Sequence, residues 1–173
     1  RVLFRSINSD LPAQISQSFV AAGLSDNYEI ILTQHEAHLS EAARRFAEEN
    51  GSNGVIYVAG GDGSLNEAAQ EINGTGCAFG AIPAGTGNDF VKTIFGKKRL
   101  PIKHIVNAMP RPEFKLLDMV QLKFPHGVCL YNQQADPSKL TENYPAANSE
   151  DGSVAVCAIN VISFGLDTLI LRR

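Results

Sequence analysis

Short apolar runs alternate with amphipathic stretches along the chain as far as about Glu113. Val2–Ile7, Tyr28–Leu32, Val55–Ala59 and Cys77–Ile82 are compact and rich in β-branched or aromatic residues, and each is bounded by polar or glycine positions, as buried strands are. Between them, apolar residues recur at helical spacing over Pro12–Ala22 and Leu39–Glu49. A further helix is predicted from Ser64 through Ala68, Ala69 and Ile72 to a stop at Gly74, opened by Ser64 and Glu67 in the form of a capping box. Asn88 or Asp89 is placed to cap the next helix, and Pro101–Ala108 closes this half. Strands separated by helices imply a parallel sheet. Beyond Glu113 the pattern changes: Phe114–Phe124 and Val154–Ser163 are long β-rich runs, and 132–152 is a polar stretch that reads as an exposed loop. The expectation is an α/β domain over 1–113 followed, over 114–173, by the beginning of an all-β domain.

Two of the strand-to-helix junctions carry glycine loops. One reads Gly60-Gly61-Asp62-Gly63-Ser64-Leu65-Asn66-Glu67, the other Pro83-Ala84-Gly85-Thr86-Gly87-Asn88-Asp89. In a parallel sheet the carboxyl ends of neighbouring strands share one edge, so both loops converge on the crevice where open α/β sheets bind ligands. Glycine lets backbone amides approach an anion, and helix amino termini add positive partial charge, so phosphate is the expected occupant. Asp62 would repel a polyphosphate unless a divalent cation lay between them or the carboxylate turned away. A nucleotide with magnesium follows. Taken singly, each loop is also a tight turn, Ser64 a simple cap and Asp62 a tether for its own loop. Neither loop has the Lys-Ser/Thr ending of a Walker A sequence, and Gly61-Asp62-Gly63 lacks the third glycine of the dinucleotide fingerprint.

The two motifs, Gly60 to Glu67 and Pro83 to Phe90, resemble the paired signatures of the diacylglycerol kinase catalytic-domain family, especially its bacterial soluble lipid kinases. The resemblance covers nearly the whole chain. It implies a NAD kinase/phosphofructokinase-like α/β nucleotide-binding domain and the start of a β-sandwich domain that is truncated here. It implies transfer of the terminal phosphate of ATP, with Mg2+, to a lipid hydroxyl, most simply diacylglycerol giving phosphatidic acid. Carried over residue by residue, Gly60, Gly61, Asp62, Gly63, Ser64, Leu65 and Asn66 contact the nucleotide, as does Thr86; Gly85 and Asn88 of the second loop are further candidates for its binding, with Asn66 and Asn88 suited to orient either loop backbone or phosphate oxygens. Thr33, ending the strand Tyr28–Leu32, stands where similar kinases set a threonine against the phosphates. Asp62 is the candidate for catalytic or magnesium-linked work, and no protein-only metal site is expected.

The amino terminus departs from the family pattern. Ile7-Asn8-Ser9-Asp10-Leu11-Pro12 keeps an asparagine, Asn8, where the family follows it with a glycine loop. In similar kinases the β-rich domain continues past the position of Arg173 and supplies a magnesium-linked structural site and the general base. Asp167 falls where such kinases begin to line the lipid cleft, and it reads equally as a turn aspartate.

Charge refines the partner. The chain is acidic at net −3, yet no acid occurs from Phe90 to Pro112 while Lys92, Lys97, Lys98, Arg99, Lys103 and Arg111 all do. With Ile94, Phe95, Leu100 and Ile102 interleaved, the strip suits peripheral contact with an anionic membrane, or else a solvated face. No run is long enough to span a bilayer, and no signal peptide is visible. Cys77, Cys129 and Cys157 are scattered in apolar surroundings, as reduced thiols of a cytoplasmic protein are. His35 and His38 lack further ligands at metal spacing and read as surface residues. Nothing indicates nucleic acid binding, and a homodimer is left open. The rival functions are a NAD kinase-like enzyme and a non-catalytic nucleotide-binding regulatory module.

Overall fold

The computed structural model describes residues 2–4, 10–35, 37–96, 101–124 and 154–159. They fall into two compact units, Arg1–Leu117 and Asp118–Arg173. The first runs β1 (Val2–Phe4), α1 (Leu11–Ala21), β2 (Ile30–Leu32), α2 (His38–Asn50), β3 (Val55–Gly60), α3 (Asp62–Ile72), β4 (Ala78–Pro83), α4 (Asp89–Phe95) and α5 (Ile102–Ala108). The second contains β5 (Val120–Phe124) and β6 (Val154–Ala158), antiparallel with Val120 opposite Ala158.

The sheet of the first unit has the order β2-β1-β3-β4 and is parallel throughout. The expected alternation of strands and helices is thus present, with β3 one residue longer than expected, β4 shifted by one, and β2 and β5 shorter. β2 begins at Ile30, not Tyr28, and the run from Phe114 does not enter β5 until Val120. Phe114 and Leu116 are exposed, so that segment has no covered face to hold it in a ladder. The part of Val154–Ser163 after Ile159 lies outside the described residues, as do Asn8, Lys97–Leu100, His126, Cys129, the 132–152 stretch and Asp167.

Helices cover both faces of the sheet. On one, Leu11, Ile15 and Phe19 of α1 pack with Ala59, Ile82, Val106 and Met109, and Ser18 Oγ donates to the Val106 carbonyl at 3.0 Å, joining α1 to α5. Alternation along β3 turns Ile56 and Val58, both fully buried, to the opposite face. There α2 presents Leu39, Ala42, Ala43 and Ala47, and α3 presents Leu65, Ala68, Ala69 and Ile72. The small alanines let the two helices lie close. Polar residues tie their outer seam: Ser40 Oγ donates to Glu67 Oε1 at 3.1 Å and Arg44 Nε to Glu71 Oε2 at 2.8 Å. Glu71 holds the Arg44 guanidinium further in its charged form, raising its pKa.

Candidate functional site

The chain passes from β1 to β2 on one side and then to β3 on the other, so the strand order reverses between β1 and β3. Ligands of open α/β sheets bind at the carboxyl ends of the strands beside such a reversal. The first glycine loop stands there, at the end of β3, and the second stands on the adjacent strand, where Gly60 pairs in register with Pro83.

The two loops touch through their backbones. Ala84 N–H donates to the Gly60 carbonyl at 3.1 Å. A Cβ placed on Gly85 would run into the Gly61 Cα and come within 3.1 Å of the Gly61 nitrogen. A side chain on Gly61 would in turn meet the Gly85 Cα at 3.4 Å. The approach of one loop to the other therefore requires glycine at 85, while 61 would still make ordinary contact, and the two loops meet backbone to backbone at the carboxyl ends of β3 and β4. Gly60 has a different reason: a Cβ there would lie 2.7 Å from the Cβ of Ser64.

α3 starts at Asp62, immediately after the extended Gly61, and Gly61 is its N-cap. The expected capping box is thus corrected. Ser64 sits inside the first turn, 5% exposed and tucked under Gly60, and makes no cap hydrogen bond. Glu67 accepts from Ser40 of α2 instead. Leu65 is fully buried in the core, so only its backbone can face a ligand. Asn66 is half-buried on α3.

Asp62 reaches across to the other loop. Its carboxylate accepts the Asp89 N–H at 3.0 Å and the Phe90 N–H at 2.9 Å, and these are the first two amides of α4. The expectation that Asn88 or Asp89 caps α4 with its own side chain is therefore replaced: Asn88 occupies the N-cap position with φ 55°, but makes no cap bond. Its amide folds back on Gly85, accepting from the Gly85 N–H at 3.0 Å and donating to the Gly85 carbonyl at 2.6 Å. Gly87 passes beside Asp62, where a Cβ would stand 3.0 Å from Oδ2. Asp89 pairs with Lys92 at 2.8 Å on the exposed side of α4.

These contacts change the electrostatics expected of the site. The Asp62 carboxylate offsets the positive end of α4 and, as the first residue of α3, stands at the positive end of that helix as well. Thr86 is the exposed tip of the second loop. Thr33 follows β2, two strands away from the first loop, or roughly 10 Å at ordinary strand spacing. Sequence reasoning thus located Gly60, Gly61, Asp62, Gly63, Gly85, Thr86 and Asn88 together and Thr33 along the same edge, and it missed the bonds from Asp62 to α4 and from Asn88 to Gly85.

Among the described residues no group of three or more histidine, cysteine, aspartate or glutamate side chains could hold a metal. His35 and His38 stack with ring centroids 4.8 Å apart, and His38 Nδ1 accepts from the Gln34 N–H at 3.1 Å. Of the thiols, Cys157 is buried and Cys77 half-buried, and burial pushes the Cys77 thiol up, away from the reactive thiolate. No helix of the described residues is long and apolar enough to cross a membrane. In the basic strip Ile94 and Phe95 are exposed, whereas Ile102 packs against the core.

Residues 6–122 match the model of the diacylglycerol kinase catalytic domain. Diacylglycerol kinases of two Mycobacterium tuberculosis strains are each 46% identical over 50 residues, covering 29% of this chain and 15% of the relative. A Staphylococcus haemolyticus protein with a provisional lipid kinase name is 33% identical over 69 residues, covering 38% of this chain and 22% of its own length. No solved structure matches. These matches span under a quarter of each relative's length, but the family model covers more than half of the chain, from before α1 to within β5 and with both glycine loops included, and the chain belongs to the diacylglycerol kinase catalytic domain family.

Proposed function

We propose that this chain carries the nucleotide-binding part of a lipid kinase that transfers the terminal phosphate of ATP to a lipid hydroxyl, with diacylglycerol as acceptor and phosphatidic acid as product. The observation that carries the reading is the side-chain-free surface where Gly61 meets Gly85 beside the amino terminus of α3. A cradle of that kind fits a polyphosphate, which backbone amides can approach where a Cβ would block them. Gly60–Gly63 hold the phosphates, and the Thr86 and Thr33 hydroxyls flank them. Asp62 and Asp89 both lie beside Gly87, giving hard oxygen donors for magnesium held through water. Such an ion would neutralise charge on the phosphates as the bond to the leaving oxygen breaks and the bond to the lipid oxygen forms.

The parallel order supports a NAD kinase/phosphofructokinase-like domain, and the β5–β6 pair supports a following β-sandwich. The lipid is reached from a membrane surface by peripheral contact, for which exposed Ile94 and Phe95, with Lys92 on the same helix, supply apolar and basic groups. The test supplies the full gene product with ATP labelled in its terminal phosphate, magnesium, mixed lipid micelles and NAD, then partitions the products between chloroform and water. Label is expected in chloroform. Label on a water-soluble acceptor sinks the lipid kinase in favour of a NAD kinase-like enzyme, and nucleotide binding without transfer identifies a regulatory module.

A further inference from the structure

From the sequence Asn88 is suited to orient either phosphate oxygens or loop backbone, and in the structure both hydrogen-bonding ends of its side chain are engaged by the backbone of Gly85. Gly85 abuts Gly61, Gly61 leads into Asp62, and the Asp62 carboxylate holds the amides of Asp89 and Phe90, the two residues that follow Asn88. The contacts form a closed circuit through both loops. We propose that Asn88 is a positioning residue that touches no nucleotide and, with Asp62, locks the two glycine loops into one body, so that nucleotide affinity depends on the pair jointly.

The residue types fit the task. Position 88 needs a left-handed backbone, which asparagine tolerates better than other side-chain-bearing residues, and a short side chain carrying one donor and one acceptor. Aspartate lacks the donor and glycine lacks both. Position 62 needs two acceptors, one for each amide, and asparagine would offer only one. With the circuit closed, Thr86 and Gly87 are held as a fixed tip between Gly85 and Asn88. With either link open, the tip is free to move relative to α3.

This inference rests on the nucleotide reading above. Its test measures ADP binding by calorimetry in excess chelator for the full gene product, Asn88→Gly, Asp62→Asn and the double variant. Asn88→Gly preserves the left-handed backbone while removing both side-chain bonds. Each single variant is expected to weaken ADP about tenfold, as the loss of one or two hydrogen bonds would. The double variant is expected within about twofold of the weaker single, because a circuit opened once is already open. Turnover in magnesium should show a raised KM for ATP and an unchanged KM for lipid. Without metal, removing a negative charge from a phosphate site should by electrostatics alone tighten ADP, so tighter binding by Asp62→Asn overturns the proposal. A double variant whose loss is the product of the single losses overturns it too, while wild type that binds no nucleotide overturns the functional reading and this inference together. Circular dichroism reports folding, and Asn88→Asp, which keeps the acceptor and loses the donor, replaces Asn88→Gly if that variant does not fold.

Discussion

Replacing Tyr57 by phenylalanine should lower stability at neutral pH and raise it in alkali. Tyr57 lies on β3 opposite Gly80, where a Cβ would come within 2.5 Å of the ring, so the missing side chain makes room for it. The hydroxyl donates to the Met109 carbonyl at 3.1 Å, just past α5. Removing it loses that bond and leaves a carbonyl beside a buried residue without its donor, at a cost of about 1 kcal/mol. Burial of the ring pushes the phenol up to about 12 from its ordinary value of 10.0. Below pH 10 the phenol is protonated in both states. Between the two values the unfolded chain ionises while the folded one keeps its proton, so the unfolded state binds fewer protons and stability falls with rising pH. Two pKa units correspond to at most about 2.7 kcal/mol, and partial exposure of the ring reduces this to about 1–2 kcal/mol. Urea unfolding followed by circular dichroism, in steps from about pH 8 upward, should therefore show the phenylalanine variant less stable at first, level with wild type between the two phenol values, and more stable above. A stability gap that stays constant across that range would refute the reasoning, since it would mean that the folded environment does not resist ionisation of this ring.

Ala37, the N-cap of α2, has φ 65°, a conformation that costs a side-chain-bearing residue about 1–2 kcal/mol. Ala37→Gly should raise stability by about 0.5–1 kcal/mol after the extra freedom of glycine in the unfolded chain is set against it, read as a higher urea midpoint with unchanged slope. Gly85→Ala should weaken nucleotide binding by more than about tenfold and cost about 1–3 kcal/mol of stability, because its Cβ would meet backbone. Gly63→Ala, open on every side, should leave stability unchanged or improved, so any nucleotide loss there reports contact with the ligand itself.

The alternation of apolar runs and amphipathic stretches was enough to place the elements of the first unit, because strands buried on both faces and helices with one apolar stripe differ in period. α3 shows why boundaries and roles were harder. Ser64 and Glu67 have the spacing of a capping box, but the extended Gly61 lets the helix begin at Asp62, and Ser64 is enclosed by the turn it was expected to open. The site was legible where it is local: glycines after strands mark backbone surface wherever they occur. Asp62 and Asp89 are 27 residues apart, and only the register of β3 on β4 brings them together, so no local rule could find the cap on α4. Asn88 was legible as a residue for a left-handed position, but its bonds to Gly85 depend on the curl of a loop whose shape follows from the contact with Gly61.

The parallel ladders differ in the length of chain each must close during folding. β3 and β4 bring Val55 to Ala78, whereas β1 and β3 bring Val2 to Tyr57. Closure entropy grows with the logarithm of that length, and the longer ladder carries roughly 0.8 kcal/mol more of it. Contacts between near neighbours in sequence also form faster than distant ones. The strand-helix-strand piece bearing both glycine loops is therefore the most locally wired part of the sheet, and a chain emerging from the ribosome can bring the phosphate cradle together while β1 is still finding its place at the centre.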